Sequence, residues 1–203
     1  MSGEAATQSY AVAARELLRS RLLEAVASLL RERAWADVTM AQVARAAGVS
    51  RQTVYNEFGS RPELAQAYVL WEADRFLASV DDAVRGHLDD PVRAVSAAFE
   101  TFLAAAHDHP LVRALVTADG AQELLPLITT QGQPLHDRAT SALAASFQEH
   151  WSQVGRADAH LLADAVVRLA ISHAAMPAGS SQLTARSLGR LFGPFVERAL
   201  GDG

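Results

Sequence analysis

Five of the six residues from 51 to 56, namely Arg51, Gln52, Thr53, Tyr55 and Asn56, are of types that contact nucleic acid. They fall on one short predicted helix, whose Val54 and Phe58 share the opposite, inward face at a spacing of four. Nothing of comparable specificity points to catalysis. The chain has no His-Glu-x-x-His, no Gly-x-Ser-x-Gly and no glycine-rich phosphate loop, and it is not expected to be an enzyme. A Ser-His-Asp set drawn from distant positions has no fixed order, so spacing alone does not decide that case. All 18 basic residues are Arg, which removes lysine Schiff-base and P-loop chemistry. With no Cys there is no disulfide and no thiolate zinc site. His107 and His109, two apart, do not share a helical face, so neither a metal nor a cofactor is expected.

The elements that must hold those five residues are helical. Ala and Leu contribute 41 and 25 of the 203 residues against 2 Ile, so an all-α fold of about nine helices is expected. A long amphipathic helix runs from about 13 to 33. Thr39-Met40-Ala41-Gln42 forms a capping box that starts a second helix, and Ala46-Ala47-Gly48-Val49-Ser50 turns it sharply, with Gly48 left-handed and Ser50 capping the third. Gly59 ends that helix, and Ser60-Arg61-Pro62-Glu63 opens a fourth, from about 61 to 85. Three helices with a tight turn between the second and third are the helix-turn-helix arrangement, whose last helix enters the major groove. Net charge agrees with this: residues 1–60 carry +1 and residues 61–203 carry −6, so a polyanion would meet the first part.

The stretch TMAQVARAAGVSRQTVYNEFGSRPEL, residues 39–64, resembles the N-terminal DNA-binding motif of TetR-family transcriptional regulators. The resemblance implies a ligand-responsive regulator, most simply a repressor, bound as a homodimer to a palindromic double-stranded operator. It implies that Arg51, Gln52, Thr53 and Asn56 face base edges, Arg toward guanine, Gln or Asn toward adenine and the Thr methyl toward thymine. Thr39, Arg45, Tyr55 and Arg61 would hold phosphates. Two positions depart from the family pattern: Gln52 replaces a frequent glycine, and Glu57 stands where an aromatic is common. Glu57 either reads a cytosine amino group or points away from DNA. It is also the main support for the alternative, a helical small-molecule-binding protein whose motif no longer binds DNA.

The expected division is a DNA-binding domain at 1–60 and an effector-binding and dimerisation domain at 61–203. In the latter, helices are predicted near 91–107, 110–118, 135–154, 158–175 and 184–200, with breaks at Gly120 and at 176–181 and an irregular stretch from Gln122 to Pro134. Pocket candidates are Trp71, Phe76, Phe99, Phe102, Leu103, Leu115, Leu124, Phe147 and Trp151, with His107, His109 and His173 as polar handles. The apolar character of that set implies a small hydrophobic effector such as a fatty acid, an alkane derivative or an aromatic drug-like molecule. By the family pattern the last two helices dimerise, through Leu162, Val166, Leu169, Leu188, Gly189, Phe192, Gly193 and Val196. No basic, apolar leader and no run of about 18 apolar residues occurs, so no membrane partner is expected and the protein is expected to be cytoplasmic.

Overall fold

The computed structural model describes residues 2–107, 109–115, 122–176 and 181–201, and every regular element among them is helical. The predicted break at Gly120, the end of the predicted helix at 116–118 and the loop at 177–180 lie outside the described residues.

Helix α1 (Ser2–Glu32) begins earlier than its amphipathic pattern. The added turns are rich in alanine, which extends an existing helix without needing a buried face; residues 10–17 are exposed accordingly. Its apolar stripe, with Leu22, Leu23, Val26 and Leu30, is buried. A 3-10 turn (Trp35–Asp37) leads to α2 (Met40–Ala47), which starts on a reciprocal capping box between Thr39 and Gln42. Gly48 then takes φ 70° and ψ 34°, a left-handed conformation that a side chain would strain, and its N–H closes the helix on Ala44 and Arg45. Ser50 Oγ accepts from the Thr53 N–H at 3.1 Å and starts α3 (Arg51–Phe58). Ser60 caps α4 (Arg61–Arg85) in the same manner, with Pro62 in the first turn. The start of each of these elements is set by residues at most four positions away.

Leu22, Val26, Trp35, Val43, Val54, Leu64 and Tyr68 are fully buried at the centre of this N-terminal unit. The same apolar core continues into Leu111 and Leu115 of α6 (Pro110–Leu115) and Ile128 of α7 (Leu125–Ile128), with Leu124 between them. The three N-terminal helices are therefore joined to the rest by packing as well as by chain connection.

The remaining helices are α5 (Pro91–His107), α8 (Gln133–His150), α9 (Arg156–Ala175) and α10 (Ser181–Gly201). Helix α4 lies against α5 and α8, α8 against α9, and α10 along α5. Two polar groups fix α8 to α4: Arg138 grips Asp74 through Nε and Nη2 at 2.6 and 2.7 Å, while Asp81 takes Ser146 and, at 3.0 Å, His150 Nε2. The α10–α5 contact involves residues expected at the dimer interface. A Cβ on Gly189 would lie 1.9 Å from Ser96 Oγ, and one on Gly193 would lie 3.3 Å from Val92, both on α5. Phe192 stacks on Phe99 with centroids 6.0 Å apart. Leu162, Leu188 and Val196 are buried in the same core. Their apolar face packs within the protomer, where Gly189 and Gly193 let α10 approach α5 closely.

Candidate nucleic-acid interface and effector cavity

On α3 the expected base-reading residues share a face, and they are organised in pairs one turn apart. Arg51 Nη2 donates to Tyr55 Oη at 3.1 Å, with its guanidinium 5.2 Å over the ring. Gln52 Nε2 donates to Asn56 Oδ1 at 2.8 Å, and the Thr53 hydroxyl lies 2.8 Å from Ser50 Oγ. Arg51, Gln52 and Asn56 are exposed, while Thr53 and Tyr55 are half-buried. Val54 and Phe58, buried beneath, hold the helix to the core. The face presents a guanidinium, two amides and a hydroxyl on a rigid short helix, which is the chemistry of base-edge and phosphate contact.

Glu57 does not belong to that face. Its side chain is only 6% exposed and accepts from Arg15 Nε and Arg19 Nη1, both at 2.9 Å. It ties the end of α3 back to α1, while Arg19 also lies 4.8 Å over the Phe58 ring. Of the expected phosphate group, Thr39 and Arg45 are exposed around α2. Arg61 is a correction. Its Nε donates to Val38 O at 2.9 Å, its Nη2 to Trp35 O at 2.7 Å and its Nη1 to Glu123, and it stacks 4.8 Å over Trp35. With these donors taken up inside the protein, Arg61 holds the 3-10 turn to the head of α4 instead of facing solvent phosphate.

A cavity of about 130 Å³ lies behind the DNA-facing unit, between α4, α5, α6, α7, α8 and α9. Its walls are aliphatic and aromatic, with Phe76, Phe99, Phe102 and Leu115 among them as expected and Ile128, Val166 and Ile171 added. Val166 therefore faces the interior, where a dimer contact was expected. Trp71, Leu103, His107, Leu124, Phe147, Trp151 and His173 do not line the cavity. Leu124 is buried in the N-terminal core. Phe147 and Trp151 pack with α10 in the other core, the Trp151 indole donating to Leu88 O at 3.1 Å. His107 is exposed.

A polar pair lies beside this cavity: His109, one of the expected polar handles, and Glu72, which the sequence reading missed. His109 Nδ1 accepts from the Leu111 N–H at 3.2 Å, so Nε2 carries the proton and lies 3.3 Å from Glu72 Oε2; the ring packs 4.9 Å from the cavity-lining Phe76. Glu72 is 2% exposed. Burial opposes its ionisation, but His109, Tyr68 and Arg75 outweigh that and hold the carboxyl below its ordinary value. Burial, then the Glu72 charge, pushes the neighbouring Tyr68 hydroxyl well up. The signal was present in the sequence: Leu64, Tyr68 and Glu72 recur every four residues, so a carboxylate stands in the apolar stripe of α4.

A recognition helix behind a tight glycine turn, mounted on a helical body with an apolar cavity, defines a ligand-responsive DNA-binding transcriptional regulator of the helix-turn-helix class. The comparisons agree. Residues 22–68 match the model described as bacterial regulatory proteins, tetR family, and residues 90–194 the one described as bacterial tetracyclin repressor, C-terminal domain. The chain belongs to the TetR family. It is 42% identical over 189 residues, 93% of this chain and 90% of that protein, to the HTH-type transcriptional regulator AlkX of Mycobacterium tuberculosis. It is also similar to the crystal structure of the TetR family repressor AlkX from Dietzia sp. strain DQ12-45-1b, implicated in biodegradation of n-alkanes, with 36% identity, TM-score 0.82 and 90% and 96% of the two chains covered. A regulator from Pectobacterium atrosepticum, 19% identical with TM-score 0.61 over 93% and 96% of the chains, shares the fold. No helix among the described residues is long and apolar enough to cross a membrane.

Proposed function

We propose that this protein is a cytoplasmic repressor that binds a palindromic operator as a homodimer, and that an effector with a hydrocarbon body releases it by filling the cavity behind α4. The observation that carries the reading is the wall of that cavity, apolar on every side and shared by α4, the helix that leads directly from the recognition helix. Only an apolar occupant gains from such a site, because a polar one would leave its groups unpaired. The relative implicated in biodegradation of n-alkanes supports an aliphatic chain over a compact aromatic ring. Arg51, Gln52, Thr53 and Asn56 read bases; Thr39, Arg45 and Tyr55 anchor phosphates. The division at residue 60 separates these two tasks. The turning of Glu57 toward α1 removes the argument for a motif that no longer binds DNA.

Fluorescence anisotropy tests the reading, with duplexes tiled across the DNA flanking the protein's own gene, at two salt concentrations and with and without n-decane. The expected result is tight, salt-sensitive binding to one tile, weakened by n-decane. Binding that is equally weak on all tiles and on a scrambled duplex counts against the operator, and binding unmoved by n-decane counts against the aliphatic effector.

A further inference from the structure

Besides the apolar core they share, the cavity and the DNA-binding helices are linked by a carboxylate. Glu123, immediately ahead of α7, accepts from Trp35 Nε1 at 2.8 Å and from Arg61 Nη1. Trp35 is fully buried in the 3-10 turn between α1 and α2. Arg61, the first residue of α4, holds that same turn through the Trp35 and Val38 carbonyls. Glu123 thus completes a junction of turn, α4 and α7. The bond from Arg61, against the opposing effect of burial and with the Trp35 bond added, holds its carboxyl below the ordinary value. Charge-assisted hydrogen bonds of this kind are the directional, distance-sensitive ones.

On the other side, Leu124 is fully buried in the same core as Trp35, and one turn further along α7 the Ile128 side chain forms part of the cavity wall. The wall residue Ile128 lies five positions after Glu123 in the chain. An occupant that displaces Ile128 must move α7 as a unit, because a four-residue helix between two buried anchors has no slack to absorb the shift. The displacement then reaches the Glu123 carboxylate, which bears on Trp35 and Arg61 and hence on the orientation of α2 and α3.

We infer that Glu123 is a positioning residue through which an occupied cavity acts on the DNA-binding helices, its carboxylate coupling the Ile128 wall to Trp35 and Arg61. The inference rests on the effector reading above and adds to it the residue that carries the effect. Coupling of this kind is a ratio of operator affinities with and without effector, and it is independent of how tightly either ligand binds alone.

The test compares the wild-type full chain with E123A and E123Q. Cavity occupancy is read by fluorescence of N-phenyl-1-naphthylamine and its displacement by n-decane, and operator affinity by anisotropy with and without n-decane. Wild-type protein is expected to lose roughly tenfold or more in operator affinity when n-decane is bound. E123A is expected to take up dye and n-decane as the wild type does, yet to change its operator affinity less than about threefold. E123Q, of the same shape and still able to accept from Trp35, is expected to fall between them. Full wild-type release by E123A with decane bound overturns the role of Glu123 and leaves the effector reading standing. A wild-type chain that takes up neither dye nor n-decane overturns the effector reading and the junction with it. A wild-type chain that binds n-decane but keeps its operator affinity overturns the aliphatic effector and the coupling with it.

Discussion

Arg51 reaches the DNA-facing surface already ordered, its guanidinium laid over the Tyr55 ring and bonded to the hydroxyl. A side chain fixed before binding gives up less rotamer freedom on contact with a base, and a planar guanidinium matches the O6 and N7 of guanine with two parallel bonds. Arg51→Ala is therefore expected to cost about 1–3 kcal/mol on the operator and little on random DNA, with preference lost at one base position. Anisotropy on the operator, on its single-base variants and on scrambled duplex measures it; an equal loss on all of them would make Arg51 a phosphate contact. Glu57 shows the opposite economy of position. One residue beyond the last base-reading position, its carboxylate meets two α1 arginines, so a negative charge beside DNA becomes a clamp on the base of the recognition helix. Sequence alone left that choice open, because both partners lie about forty positions upstream and no local spacing announces them.

Helix α4 connects the recognition helix to the cavity, and its own orientation is set by polar contacts with α8. Asp81 is held below its ordinary value of 3.8: burial opposes this, but Ser146, His150 and Arg85 outweigh it. A depressed carboxyl contributes fully to stability above its unfolded value and loses that contribution as pH falls through the folded one. The wild-type melting temperature is thus expected to fall more steeply between about pH 5 and pH 3 than that of D81N, as followed by circular dichroism. Parallel acid slopes would show that Asp81 contributes no pH-dependent stability. At the α10–α5 contact, Gly189→Ala drives a methyl into Ser96 and is expected to cost about 1–3 kcal/mol, with part restored by adding Ser96→Ala. Urea melts of the single and double variants decide it, and a neutral G189A would mean that α10 stands further off. These two contacts also mark where sequence reading ends. The caps at Thr39, Ser50 and Ser60 and the turn at Gly48 were legible because each acts within about one helical turn, and the fold class followed from Ala and Leu content. The partner of a helical face is not local. Leu188, Gly189, Phe192, Gly193 and Val196 have the period of a buried stripe whether α5 or a second protomer covers it. Glu123 sits 88 residues from Trp35, with nothing in its surroundings to mark it. The short helix α7 likewise formed inside a stretch that Pro, Thr and Gly made irregular on paper, because Leu124 and Ile128 are buried on either end of it.

For the molecule as a whole, a net charge of −5 means that DNA binding depends on how the few exposed arginines are presented. One short recognition helix covers only a few base pairs, so two copies spaced about 34–36 Å apart are required for a palindromic site. Since the inner faces of α9 and α10 are used within the protomer, a second copy docking on these helices would meet what they leave outside. Leu161 on α9 is 57% exposed and Leu191 on α10 is 65% exposed, and among the described residues these are the large apolar side chains those helices turn outward. Single exposed leucines are ordinary on protein surfaces, but in a two-fold interface each patch meets its own copy, so a charge placed there is opposed by its own image. The double variant L161E/L191E is accordingly expected to sediment as a folded monomer of 21.7 kDa where the wild type sediments at twice that mass. It should keep its helical circular dichroism and its dye uptake, since neither leucine lines the cavity, and it should bind a full operator no better than a half-site. Sedimentation velocity and anisotropy on full and half operators check both parts. A variant that remains a dimer would move the interface to another face, and a wild-type chain that sediments as a monomer would remove the homodimer from the proposed mechanism.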